Sequence, residues 1–199
     1  MVHVGRKIKM VEGCHPVAVG EVTAIKNLPN GLGEEADAAI AFYQPANAYM
    51  RWFQKAQSKD SAVNLRELHA ILARLQAAAA ELPAVAPDEG DEAESEPSQR
   101  AVKQRDKIGV ALPVDAYGKV FDPLDDRDLT RVVASLKDDL EDIYADVYEG
   151  AALYNRRRYR NALWAWHFSY YSHWGRHLSC AQVAIWQYLS TGNWRQDAP

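Results

Sequence analysis

Five side chains in the last third of the chain have the types and spacing to do chemistry. Asp139, Asp142 and Asp146 fall at i, i+3 and i+7, so on a helix they form one line beside its apolar face. His173 and His177 are i and i+4, which lets two imidazoles converge on one point. If the helices carrying them pack antiparallel, the carboxylate line and the histidine pair meet. Two imidazoles with two carboxylates form a competent set for Zn, Mn or Fe, ions that accept mixed nitrogen and oxygen ligands. Histidine is also the natural base near neutral pH. Motifs do not sharpen the choice. Neither helix carries the Glu-x-x-His unit of di-metal bundles, and the histidine pair lacks the intervening Glu of H-E-x-x-H. Ser169, Ser172 and Ser179 lie outside any G-x-S-x-G context. The plainest reading is that Asp and His hydrogen-bond across a helix interface and hold it in register. A bound divalent metal in a hydrolase-like site and acid–base catalysis are the sharper alternatives.

Two helices must position these groups. Leu136, Leu140, Ile143, Val147, Ala151 and Tyr154 predict one, starting between Thr130 and Ser135. Ala162 to Leu189 predict a long aromatic helix. At about 100° per residue its Leu163, His167, Tyr171, Trp174, Leu178, Ala181, Ile185 and Leu189 share roughly 80° of arc. His167 then projects from the middle of the packed stripe, as a core histidine rather than a ligand. Trp166, Tyr170, Trp174 and Gly175 flank the histidine pair and are a candidate partner groove, with core packing as the simpler role. Gly175 costs about 1 kcal/mol against alanine inside a helix. Close approach of another helix, or room for a ligand beside Trp174, would compensate. Gly192 is a stop signal.

Earlier in the chain, Phe42, Ala46, Tyr49 and Phe53 predict another helix face, with Pro45 imposing a kink or a late start. Asn64 to Glu67 reads as a capping box, followed by Leu65, Leu68, Leu72, Leu75, Ala79 and Leu82 and ended by Pro83. Residues 83–97 form an acidic flexible linker, with six acids between Asp88 and Glu96 and no base; a partner-binding acidic tail is the sharper reading. Ser98 can cap a helix to about Leu112, and Pro113, Gly118 and Pro123 predict an irregular connection after it. Residues 1–33 read as a weakly ordered leader with short strand-like runs such as Pro16 to Ile25. The expected fold is all-α: an antiparallel bundle of four to five helices over residues 34–199, with a poorly structured N-terminal leader.

Composition narrows the function classes. A net charge of −4 does not favour a phosphate backbone or an anionic membrane. Arg156, Arg157, Arg158 and Arg160 are the one dense basic cluster, a possible phosphate or RNA patch with Tyr154 and Tyr159 beside it. The same charge also suits the C-terminal end of a helix dipole. No window approaches the roughly 18 apolar residues of a membrane span. Cys14 and Cys180 stand in no ligand-like spacing, which fits a reducing cytoplasm.

"VFDPLDD" (120–126), "SLKDDLEDIYADVYEGAALY" (135–154) and "ALWAWHFSYYSHWGRH" (162–177) resemble an uncharacterised bacterial all-helical family, domain of unknown function family 5063. The matching positions are Asp122, Pro123, Ser135, Asp138, Asp139, Asp142, Tyr144, Asp146, Trp166, His173, Trp174, Gly175 and His177. His167 departs from the charged residue of the pattern. The resemblance is close over 118–178, looser back to Glu34, and leaves out the leader. It implies an all-helical cytoplasmic bacterial protein and carries no activity with it. The combined expectation is a non-enzymatic interaction or structural protein with an interhelical Asp/His network, binding a protein partner or itself. A metal-binding hydrolase-like protein is the first alternative and an RNA-associated one the second.

Overall fold

The apolar faces read from the spacing fold into helices around a shared core. The computed structural model describes residues 7–12, 15–21, 33–56, 64–88, 108–109, 111–120, 122–125 and 127–191. These are mostly helical, with small two-stranded antiparallel sheets. Two units separate, Met1–Glu35 and Ala36–Pro199. In the first, β1 (Lys7–Glu12) pairs antiparallel with β2 (His15–Glu21), with a register shift between Met10 and Val11.

α1 (Gly33–Ala56), which belongs to the second unit from Ala36 onward, buries Phe42, Ala46, Tyr49 and Phe53 as its spacing predicts. It runs through Pro45 and begins well before it, so the late start is not taken. Asn64 caps α2 (Leu65–Ala80): its Oδ1 accepts from the amides of Arg66 and Glu67 at 3.1 Å each. The leucine ladder behind it is buried.

The irregular connection expected after Pro113 contains a hairpin instead. β3 (Ala116–Val120) pairs with β4 (Arg131–Ser135), Ala116 opposite Ser135 and Val120 opposite Arg131. Five residues interrupted by Gly118 make too weak a local pattern to read as a strand. What fixes them is the seating of Tyr117 and Lys119 against the helices, described below. The helix expected from Ser98 lies largely outside the described residues, and at its described end residues 108–109 and 111–112 are not helical. Gly192 is likewise outside them. Ile108 is buried, with its amide donating to Glu141 Oε1 at 3.0 Å.

Ser135 is the N-cap of α3 (Leu136–Asn155), accepting from the Asp138 amide at 3.1 Å and donating to Asp115 Oδ1 at 2.8 Å. That oxygen also accepts from the Lys137 amide at 2.9 Å, so the first turn of α3 is held from two sides. The aromatic helix is α4 (Tyr159–Ser169), a π-turn (Tyr170–Trp174) and α5 (Gly175–Ser190), joined through helical dihedrals. The π-turn corrects the predicted stripe. Its i→i+5 bonding admits one extra residue and rotates everything before it by about 100° relative to a regular helix. Counted back from Leu178 and Trp174 at constant period, the core face falls on Tyr171 and His167; with the extra residue it falls on Tyr170 and Trp166. Accordingly Trp166 is 0% exposed and Tyr171 68%. His167 is half-buried, its ring 5.0 Å from that of Tyr171 rather than in the core.

Trp166 locks α1, α3 and α4 together. Its ring centroid lies 4.6 Å from that of Phe42, and its Nε1 donates to the Val147 carbonyl at 2.9 Å. Gly150 makes the room, since a Cβ there would fall 2.2 Å from Trp166 Nε1. α3 packs on α4 and α5, and α2 packs on α5. Tyr49 adds a buried hydrogen bond from α1 to the Leu140 carbonyl of α3 at 2.6 Å.

Gly150→Ala is therefore expected to overpack this wedge and destabilise the protein by roughly 1–3 kcal/mol in urea unfolding. The near-ultraviolet signal of the displaced indole should change with it. Unfolding indistinguishable from the parent would show that the ring has room to move.

Candidate metal centre

The three aspartates of α3 occupy one line on the side that meets α5, and both histidines reach it. His177 Nδ1 lies 2.7 Å from Asp139 Oδ1, and His173 Nδ1 lies 2.6 Å from Asp146 Oδ2. An ionised carboxylate only accepts, so each Nδ1 carries a proton and donates; in the neutral tautomer the remaining ring lone pair is on Nε2. His177 Nε2 is 3.7 Å from Asp142 Oδ2. That is too long for a hydrogen bond. It is close to the roughly 3.3–3.5 Å separating two ligands that each lie about 2.0–2.1 Å from one tetrahedral ion. One ligand atom each from Asp142, His173 and His177 lie within 4.8 Å of one another. The five residues thus divide into a converging trio and two carboxylates that fix the imidazoles from behind.

Asp139 is the buried member, 2% exposed in the first turn of α3, where the helix dipole favours a negative group. Besides His177 it holds two groups from β3. Tyr117 donates its hydroxyl to Oδ2 in a hydrogen bond, and Lys119 Nζ stands 3.7 Å from Oδ1. Burial, then the bond to Asp139, push the Tyr117 hydroxyl far above its ordinary range, so it remains a donor. Sequence reasoning missed both residues because it read their segment as irregular. The available signal was their i, i+2 spacing, which puts Tyr117 and Lys119 on one face of a strand.

Asp146 sits nearer solvent. Burial pushes its carboxyl up, His173 pulls it back down, and the charge of Asp142 pushes it up again. Burial and the charge of Asp146 raise Glu149 in turn. Carboxylates on this side of α3 therefore repel one another, a cost that a cation among them would relieve. The His173 side chain is 49% exposed, so water reaches the trio.

The other expected sites fare differently. Trp166 and Trp174 are 0% exposed and offer no surface to a partner; Trp174 Nε1 donates to Ser169 Oγ at 3.0 Å. No second helix explains Gly175. A Cβ there would meet the Tyr170 carbonyl at 2.4 Å and the Tyr170 ring at 2.9 Å, so the glycine accommodates the π-turn itself. Tyr170 and Gly175 do line an open pocket of about 420 Å³ with Val120, Tyr171, Arg176 and Cys180. Arg156, Arg157 and Arg160 are exposed and Arg158 half-buried at the far end of α3 from Asp139.

The chain belongs to the family described as Domain of unknown function (DUF5063), whose model matches residues 34–190. The match includes every residue of the candidate centre and begins after residue 33. No curated protein and no solved structure matches the chain.

Removing the Asp139 carboxylate leaves Lys119, Tyr117 and His177 facing a buried void. Asp139→Ala should cost about 3–5 kcal/mol, as loss of one member of a buried ionic set does. Tyr117→Phe should cost about 1.5–3 kcal/mol for one hydrogen bond to a charged group. Denaturant titration of both variants measures this, and an Asp139→Ala loss below about 1 kcal/mol contradicts the clamp.

Proposed function

We propose that this family member holds a divalent transition-metal ion between α3 and α5, with Asp142, His173 and His177 as ligands. Asp139 and Asp146 act behind them as carboxylates that set each imidazole's tautomer and orientation. The single observation that carries this reading is the convergence of three ligand atoms within 4.8 Å while both Nδ1 atoms are engaged by other carboxylates. Nitrogen-rich mixed ligation suits Zn, with Mn and Fe also accepted. Three protein ligands and access through His173 support an open site rather than a closed structural one. An ion so held lowers the pKa of a bound water toward neutrality and polarises carbonyl or phosphoryl oxygens, which is the basis of a hydrolase-like role. Within that role Asp139, backed by Tyr117 and Lys119, keeps His177 fixed and does not itself meet a substrate.

The finer architecture we infer is the antiparallel bundle, supported by the packing of α3 on α4 and α5 and of α2 on α5. Among the described residues no helix is long and apolar enough to cross a membrane. The cysteine pattern supports a cytoplasmic setting. A protein partner or self-association is supported by Phe168, Tyr171, Val183 and Trp186, all more than half exposed on α4, the π-turn and α5. Sedimentation velocity should then show a concentration-dependent dimer or a shift on adding the partner; a monomer at every concentration removes self-association.

Metal analysis of protein purified without chelator should find about one Zn, Mn or Fe per chain, lost in the His173→Ala/His177→Ala double variant. Saturating metal should stabilise the metal-free protein by about 2.7 kcal/mol at a hundred times the dissociation constant. No stoichiometric metal, together with a melting temperature unmoved by Zn or Mn, would reduce the cluster to an interhelical Asp/His network.

A further inference from the structure

Small residues at i and i+4 leave a hollow on one side of a helix, and α5 has them in Gly175 and Ser179. The hollow persists because Gly175 tolerates no side chain: a Cβ there would meet the Tyr170 carbonyl at 2.4 Å. It is part of the pocket of about 420 Å³ bounded by α5, the π-turn and the end of β3. That volume falls in the range of small-molecule sites, roughly 300–1,000 Å³. Val120 and Pro123 give the pocket one apolar wall, and Tyr170 and Tyr171 give it another. The Tyr170 ring packs against that of Trp174, 4.8 Å away at 62°. The Tyr171 ring stands 5.1 Å from it at 77° and is 68% exposed. Two rings at nearly a right angle offer a further ring one face to stack on and one edge to meet.

We propose that this pocket binds an uncharged planar aromatic group and is the recognition site of the candidate metal centre. Its assignment to the centre rests on the metal reading; the binding of the ring does not. The inner polar atoms are already engaged, which leaves apolar contact to recognise the ligand. Ser179 Oγ donates to the Gly175 carbonyl at 2.9 Å and accepts from Gln76 Nε2 at 3.3 Å. The Cys180 thiol meets the Tyr117 hydroxyl. Arg176, on the same lining, disfavours a cation, and the aspartate line on the adjoining side of α3 disfavours an anion. A planar guanidinium can also cover an aromatic ring while its N–H groups keep their other partners. Pocket and centre share their walls. Cys180 is three residues past His177 on α5, and through Tyr117 it reaches Asp139, which holds His177. Tyr171 and His173 belong to the same π-turn.

The test titrates 2-naphthol, by calorimetry and by NMR, into metal-free protein and into protein loaded with Zn. Saturable binding at a single site is expected in both. Tyr171→Ala removes an exposed wall and should weaken binding about tenfold. Val120→Trp fills the pocket from the strand side and should abolish it; if that variant unfolds, Tyr171→Ala alone decides. Trp186→Ala removes an exposed ring of α5 that is not part of the pocket and should change nothing. The imidazole signals of His173 and His177 should move as the probe binds. No saturable binding, or binding unaltered in Tyr171→Ala, overturns the site. Tenfold tighter binding of 2-naphthoate overturns the uncharged class, and imidazole signals that stay in place overturn the assignment to the centre. The Zn content of the same samples tests the metal reading separately.

Discussion

A carboxylate 2% exposed inside a helical core cannot remain charged without partners, and Asp139 is surrounded by groups that answer it. The first turn of α3 presents it to a favourable dipole end, β3 brings the Tyr117 hydroxyl and the Lys119 ammonium, and α5 brings His177. Three elements therefore meet at one side chain. This also explains how a hairpin of two five-residue strands, too short to persist alone, becomes part of the fold. Its strand is ordered by the demand of a buried charge more than by its own propensity. Fixing Asp139 fixes the His177 ring, and with it the direction of the second nitrogen on which the proposed chemistry rests.

The π-turn has the complementary task of reconciling the core with the centre. Both Trp166 and Trp174 must face inward, and they are eight residues apart, which a regular helix would leave about 80° out of phase. One extra residue absorbs that mismatch. His173 lies inside the turn and His177 just after it, with ring centroids 4.8 Å apart. Gly175 allows the Tyr170 carbonyl and ring to close over the backbone there. Irregular helix geometry at the very residues that carry the imidazoles is the kind of local departure that recurs at functional sites.

Along α3 the charge is distributed by the same physics. Acids crowd its first half and arginines follow its last turn, each sign at the dipole end that stabilises it. Asp139, Asp142 and Asp146 face α5 at the candidate centre; at the basic end Arg158 and Asp88 meet through the Asn161 amide. Between them Gly150 admits Trp166, so the packing that joins the helices sits apart from both charged regions.

Much of the candidate site is legible in the amino-acid sequence. Asp139, Asp142 and Asp146 at i, i+3 and i+7, and His173 and His177 at i and i+4, specify their faces because each set lies on one stretch of helix with a known rotation per residue. The leucine ladder of α2, its Asn64 cap and the apolar face of α3 are readable for the same reason. Three things are decided only in the folded chain. Tyr117 and Lys119 join the centre because a strand's order depends on what it packs against, which no window of its own residues contains. The burial of Trp166 in place of His167 and Tyr171 depends on one inserted residue, whose phase is set by the cores on either side of it. The division of the five polar residues into a converging trio and two supporting carboxylates depends on distances between helices. Sequence spacing determines direction around an axis; only packing determines how far one axis lies from the next.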